Sequence, residues 1–240
     1  MSGVKRTMAP SFKAHDEKFG RWEVLTGLVL IFHLIAMVLW ALHNKMPHGP
    51  DEFIHLNLVR YVYDTIRERP YAIGDVVTWG TGHWPPLMFF VRAIVCVLCG
   101  SDAYPIIVGS AAVFVIIFIC SLYYCAYVIT GKKATAAITV VIASFHPLIY
   151  GYARFVGTDF PSLAMAVLNL ALLLYSKRFE RSFISLLCGV VFGFGLLTRW
   201  THWVIVGMPI IVVLVSVAID MLKRRAVTKS FLNSMCALSM

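Results

Sequence analysis

Two adjacent carboxylates, Asp51 and Glu52, follow Pro50 directly after the first apolar run of this 240-residue chain. At a helix start they have a sufficient structural use, since Asp caps free N–H groups and Glu opposes the positive end of the helix dipole. Beside apolar lipid a carboxylate also gains proton affinity and can act as a general base toward a hydroxyl. Three other polar clusters interrupt apolar sequence. Gly82-His83-Trp84-Pro85-Pro86-Leu87 closes the loop that follows the carboxylates; it reads as a rigid leading turn with Trp84 at an interface, and His83 as either a hydrogen-bonding strut or a site group. Ala153-Arg154-Phe155-Val156-Gly157-Thr158-Asp159-Phe160-Pro161 joins two apolar runs. There Asp159 can cap the next helix, and Arg154 is suited to grip a phosphate. In Leu197-Thr198-Arg199-Trp200-Thr201-His202 a cation and an imidazole break a run that is otherwise apolar from Phe183 to Ile219.

The elements that position these groups must live in lipid. The chain is 60% hydrophobic and 14% charged, with mean hydropathy +0.80, which excludes a soluble domain of this length. In lipid every backbone polar group is bonded internally, and the apolar runs lack the strict alternation of a barrel strand, so the expected fold is all-α. The net charge of +9 sits in short clusters at the ends of apolar runs. That is a topology signal rather than a nucleic-acid surface, and no nucleic-acid partner is expected. Of the six cysteines, none lies in the polar loop between residues 44 and 85, so no disulfide framework follows; Cys96 and Cys99 form a CxxC read as packing residues. The run Val24 to Leu42, about 19 residues with no cleavage site after it, reads as a signal anchor.

Residues 1–22 are net basic (Lys5, Arg6, Lys13, Lys18, Arg21), which predicts a cytoplasmic N-terminus and an extracytoplasmic loop over 43–104. Within that loop Leu56, Val59, Tyr63 and Ile66 recur at helical spacing after Asp51, predicting a helix on the membrane surface. Pro86 to Gly100 has an apolar core of about 15 residues, short of a span, and carries Arg92 near its middle. Read as interfacial or re-entrant, it leaves Lys132-Lys133, Lys177-Arg178-Arg181 and Lys223-Arg224-Arg225 on the cytoplasmic side. Spans are then predicted at 105–130, 134–151, 160–176, 182–198 and 202–221, about six with the first. This arrangement brings Asp51, Glu52, His83, Arg154, Asp159, Arg199 and His202 to one outer surface. The domain reading is a cytoplasmic segment 1–22, a membrane domain 23–222, and 223–240 as a cytoplasmic tail or the start of a further segment.

The series Pro50-Asp51-Glu52, His83-Trp84-Pro85-Pro86-Leu87, Tyr152-Ala153-Arg154 with Asp159-Phe160-Pro161, and Leu197-Thr198-Arg199 resembles the C-type integral-membrane glycosyltransferases. Within them it is most similar to the protein O-mannosyltransferase and aminoarabinose-transferase group. The resemblance implies transfer of a sugar from a polyprenyl- or dolichyl-phosphate carrier to an acceptor hydroxyl on the extracytoplasmic or luminal side, in a multi-pass protein of the plasma membrane or endoplasmic reticulum. It implies Asp51 as general base with Glu52 as its partner, and His83 in a segment closing over the site. It also implies Asp159 as the second acidic position with Arg154 before it, and Arg199 as the cation that neutralises the carrier phosphate; His202 joins the substrate-binding set. No nucleotide is required, and a divalent cation bridging Asp51 or Glu52 to the phosphate is the one metal this reading admits. The family's Arg near the start of the span after the short apolar helix has no match in Tyr104-Pro105-Ile106-Ile107-Val108, which leaves Arg92 or Arg199 to supply that contact. Two other readings stand beside it: a non-catalytic or truncated membrane scaffold, and a transporter, against which the near absence of charge inside the spans argues.

Overall fold

The computed structural model describes residues 20–44, 46–80, 84–224 and 235–237, and its elements are helical throughout. Helix α1 (Arg21–His43) buries only Val29, His33, Met37 and Ala41. That four-residue spacing marks one narrow inward stripe, while Leu28, Ile31, Ile35, Val38 and Leu42 face outward, as suits a peripheral helix in lipid. After Gly49, α2 (Pro50–Glu68) turns one face inward through Leu56, Val59, Val62 and Tyr63. A 3-10 turn at Pro70–Ala72, the single turn α3 (Ile73–Asp75) and a π-helical turn at Val76–Gly80 follow. Helix α4 (Leu87–Cys99) packs on α2 and stops at Gly100, whose φ of 69° is left-handed.

The short α5 (Tyr104–Gly109) runs almost directly into α6 (Ala112–Thr130), and together Tyr104–Thr130 make a membrane-length apolar rod. Next come α7 (Lys133–Ser144), α8 (Pro147–Tyr152), α9 (Asp159–Tyr175), α10 (Ser182–Leu196) and α11 (His202–Arg224). Among the described residues three helices are long and apolar enough to cross a bilayer: Arg21–His43, Tyr104–Thr130 and His202–Asp220. The other three expected spans are shorter. The expected span 134–151 is broken, because Pro147 holds His146 in an extended conformation and restarts the chain as α8. The 12 residues of α7 cover about 18 Å, less than a hydrocarbon core.

Two ends of the bundle differ in chemistry. At one, Lys133 pairs with Glu23 at 2.6 Å, and Arg178 pairs with Asp220 at 2.9 Å. There Arg181 also lies over the Tyr175 ring, and Lys177, Arg178 and Phe179 take consecutive left-handed turns. At the other end lie the first turn of α2, the loop 153–158 and the α10–α11 turn. Helix α4 belongs wholly to this second end. Its start is tied to Leu197 by the Leu87 N–H at 2.8 Å, and the residues after it return to α2 through Arg60–Asp102 and Tyr104–Glu52. Inside the bundle Asn169 of α9 donates to the Cys188 carbonyl of α10 at 3.0 Å, which satisfies the one amide buried between these helices.

Candidate functional site

The two adjacent carboxylates part company. A helix turns about 100° per residue, so the phase that buries Leu56 and Val59 also buries Glu52 and leaves Asp51 outside. Glu52 is 0% exposed. Its Oε2 accepts the His48 N–H at 2.7 Å, and its Oε1 accepts the Tyr104 hydroxyl at 3.2 Å and the Val156 N–H at 3.1 Å. It is a strut joining α2, α5 and the loop 153–158. Among the described residues no hydrogen bond or ion pair engages the exposed Asp51 carboxylate, which is therefore free for a ligand.

Arg199 pairs with Asp159, their side chains 39% and 47% exposed. This pair links the α10–α11 turn to the first residue of α9, and Asp159 lines a groove of about 160 Å³ with Leu148, Ile149, Tyr152, Phe160 and Leu163. The groove is apolar apart from that carboxylate. Arg154 is 4% exposed and turned away, with its guanidinium 3.5 Å from the Tyr150 ring and bonded to the Tyr150 carbonyl. Burial pushes its pKa down, and its Nη2 has no partner.

Arg92, buried at 1% exposure, spends its N–H groups on the Ile107 carbonyl at 2.8 Å, the Phe155 carbonyl at 3.4 Å and Met88 Sδ at 3.1 Å. Burial lowers its pKa to about 10, and the charge of Glu52 counteracts that effect, so it stays a cation at neutral pH. These bonds make it a second strut of the same end and leave it no free face for a donor phosphate. His202 is 0% exposed and fits the space left by Gly195, where any Cβ would collide with its ring. The structure therefore brings Asp51, Asp159 and Arg199 to one solvent-facing end, with Glu52 and Arg92 beneath them, while Arg154 and His202 are packed into the bundle. His83 lies outside the described residues, as do most of the basic N-terminal segment and Arg225.

Sequence reasoning passed over His55. It follows Asp51 by one helical turn, and its Nδ1–H donates to the Val156 carbonyl at 3.1 Å. Burial lowers its pKa; the Val156 bond and Asp51 act against that, and Arg92 and Arg199 add to it. The signal was available, because 55, 59, 62 and 66 share the inward phase of α2. Among the described residues no three His, Cys, Asp or Glu side chains gather as a metal site. With both Glu52 oxygens already accepting bonds, a bridging cation would have Asp51 alone to hold it, so these residues do not fit one.

The fold defines an integral membrane protein with Asp51, Asp159 and Arg199 at one end of a helical bundle. The family model of dolichyl-phosphate-mannose-protein mannosyltransferases matches residues 83–239, and the chain belongs to that family. It is thus a membrane glycosyltransferase of mannosyltransferase type. The matched stretch covers the loop 153–158, Asp159 and Arg199, and begins after Asp51 and Glu52. No curated protein and no solved structure matches the chain.

Proposed function

We propose that this protein transfers a sugar from a dolichyl- or polyprenyl-phosphate carrier to an acceptor hydroxyl at the Asp51 end of the bundle. The observation that carries the reading is the Asp159–Arg199 pair at the mouth of an apolar groove, with an unengaged carboxylate at the same end. The groove suits a prenyl chain, and a partly exposed guanidinium suits its phosphate. Asp51 removes the hydroxyl proton as that oxygen forms a bond to the anomeric carbon. The bond from the anomeric carbon to the phosphate oxygen breaks, its electron pair stays on the carrier phosphate, and Arg199 neutralises the departing charge. Glu52 and Arg92 hold the α2 start and the loop 153–158 in register. The Asp51 end faces the extracytoplasmic or luminal side, opposite Lys132 and Arg178, and the membrane domain runs over 23–222.

The test is transfer from dolichyl-phosphate mannose to a peptide bearing Ser and Thr, using membranes that contain the chain. Asp51→Asn is expected to lower kcat at least a hundredfold, the usual scale for a lost general base. Normal transfer by that variant removes the base assignment, whereas no transfer by the unmodified chain favours a non-catalytic scaffold. Labelling from outside at cysteines introduced at positions 132 and 178 would overturn the orientation.

A further inference from the structure

His55 has one ring nitrogen committed and one idle. Nδ1 faces the Val156 carbonyl at 3.1 Å, and a carbonyl oxygen can only accept, so the proton sits on Nδ1 and Nε2 presents a lone pair. That Nε2 is buried and has no partner, on a side chain only 4% exposed. The ring cannot swing out to find one. Trp84 meets it edge-on at 4.7 Å, Phe89 lies 5.7 Å away, and the loop at Gly157 packs against its other side. A buried acceptor held this rigidly without a donor is the exception in folded proteins, and a donor group of a bound ligand is one of the partners that can complete it.

We infer that Nε2 of His55 is a hydroxyl-binding position, accepting a hydrogen bond from an O–H group of the bound substrates. The inference rests on the transferase reading above. Three charged groups act on the ring: Asp51 on its own helix, Arg92 from α4 and Arg199 from the α10–α11 turn. Two of the three are cations, which disfavour an ammonium donor at Nε2, and a lone pair repels an anion. A neutral donor remains, and a hydroxyl is the one that the sugar and the acceptor both carry. Asp51 lies one helical turn before His55 on α2, exposed where the ring is buried. A hydroxyl held at Nε2 therefore belongs either to the donor's sugar or to the acceptor.

Two substitutions separate the functions of the ring. His55→Asn keeps an amide N–H where Nδ1 stood and can retain the bond to Val156, but removes the Nε2 acceptor. His55→Gln carries an amide oxygen out to the Nε2 position. Both variants are first compared with the unmodified chain by thermal melting in detergent, so that a loss of fold is seen separately. Binding of dolichyl-phosphate mannose and of sugar-free dolichyl phosphate is then measured, followed by the steady-state kinetics of peptide glycosylation.

If the sugar is the donor, His55→Asn weakens binding of the mannosylated carrier about tenfold and leaves dolichyl phosphate unchanged. If the acceptor is the donor, binding of both lipids is unchanged and the KM for peptide rises about tenfold. In either case His55→Gln restores a substantial part of the loss. A folded His55→Asn protein whose Kd values, KM and kcat all stay within twofold of the unmodified chain overturns the inference while leaving the transferase reading intact. An unmodified chain that binds neither lipid and transfers nothing overturns both.

Discussion

Replacing Glu52 by Gln should cost folding stability out of proportion to the two atoms involved. The carboxylate accepts three bonds, one at Oε2 from His48 and two at Oε1 from Tyr104 and Val156. An amide has one oxygen, so its best orientation keeps the Tyr104 and Val156 bonds and turns an NH2 toward the His48 N–H. Orphaning that donor costs about 1 kcal/mol, the low end for a partly buried group. The larger part comes from Arg92, fully buried and with Glu52 as the first charge that supports it. Removing one partner of a buried pair costs roughly 3–5 kcal/mol when the two touch. Arg92 directs its N–H groups to carbonyls instead, so about 2 kcal/mol is the fair share. A loss of about 3 kcal/mol corresponds to roughly 6–12 °C in a chain of this size. The assay is thermal melting of purified protein in detergent, extended to Arg92→Met and the double variant. Removing both charges should be milder than the sum of the single losses by about 1–2 kcal/mol, because neither is then left uncompensated. Well below the melt, transfer by Glu52→Gln should remain within tenfold of normal, unlike Asp51→Asn. A Glu52→Gln protein melting within 2 °C of the unmodified one, with an additive cycle, would refute the strut.

Three further outcomes are expected. Asp159→Asn should shift the melting temperature by no more than about 4 °C, since a pair this exposed is worth about 1 kcal/mol at most; it should nonetheless slow transfer markedly if Arg199 needs that partner to face the phosphate, and equal losses of stability and rate would count against the role. Gly195→Ala should lower stability by about 2 kcal/mol, because the new methyl collides with the buried His202 ring and the site forbids relaxation without overpacking; unchanged melting would show that the ring has room to move. The folded-state pKa of His55 lies below its ordinary 6.5, so the unfolded chain binds the extra proton first as pH falls. Its contribution is therefore complete above pH 6.5 and is lost at up to about 1.4 kcal/mol per pH unit on going down. Melting curves of the unmodified chain and His55→Asn should converge as pH drops from 7 to 5, and parallel curves would refute the assignment.

How much of this was legible in the sequence depends on which property each residue expressed. Membrane residence and an all-helical fold followed from hydropathy, which is summed over long windows and tolerates local exceptions. The shortness of α4 also followed from its apolar run, and its two ends return to the same end of the bundle. The stretch 134–151 is two helices rather than one because hydropathy does not register a break: Pro147 interrupts the hydrogen-bond ladder without making the stretch less apolar. Arg154 and His202 were assigned to the outer cluster by their charge type and sequence position. Position along a chain does not say which way a side chain turns, and each found local packing instead, one under Tyr150 and the other against Gly195.

The division of labour between Asp51 and Glu52 was the most informative feature, and it could have been read. Leu56, Val59, Tyr63 and Ile66 define the inward phase of α2, and carrying that phase one turn back reaches Glu52 and His55 while passing over Asp51. Treating the two acids as a chemical pair obscured a geometric distinction that the helix imposes on any adjacent residues. A buried carboxylate with both oxygens accepting hydrogen bonds cannot also take a proton from a substrate without weakening the bonds that hold the site together. An exposed one beside it has no such duty. On that argument the inward acid sets the position of the first turn and the outward acid is left for chemistry, and a helix start bearing two carboxylates supplies both roles with one motif.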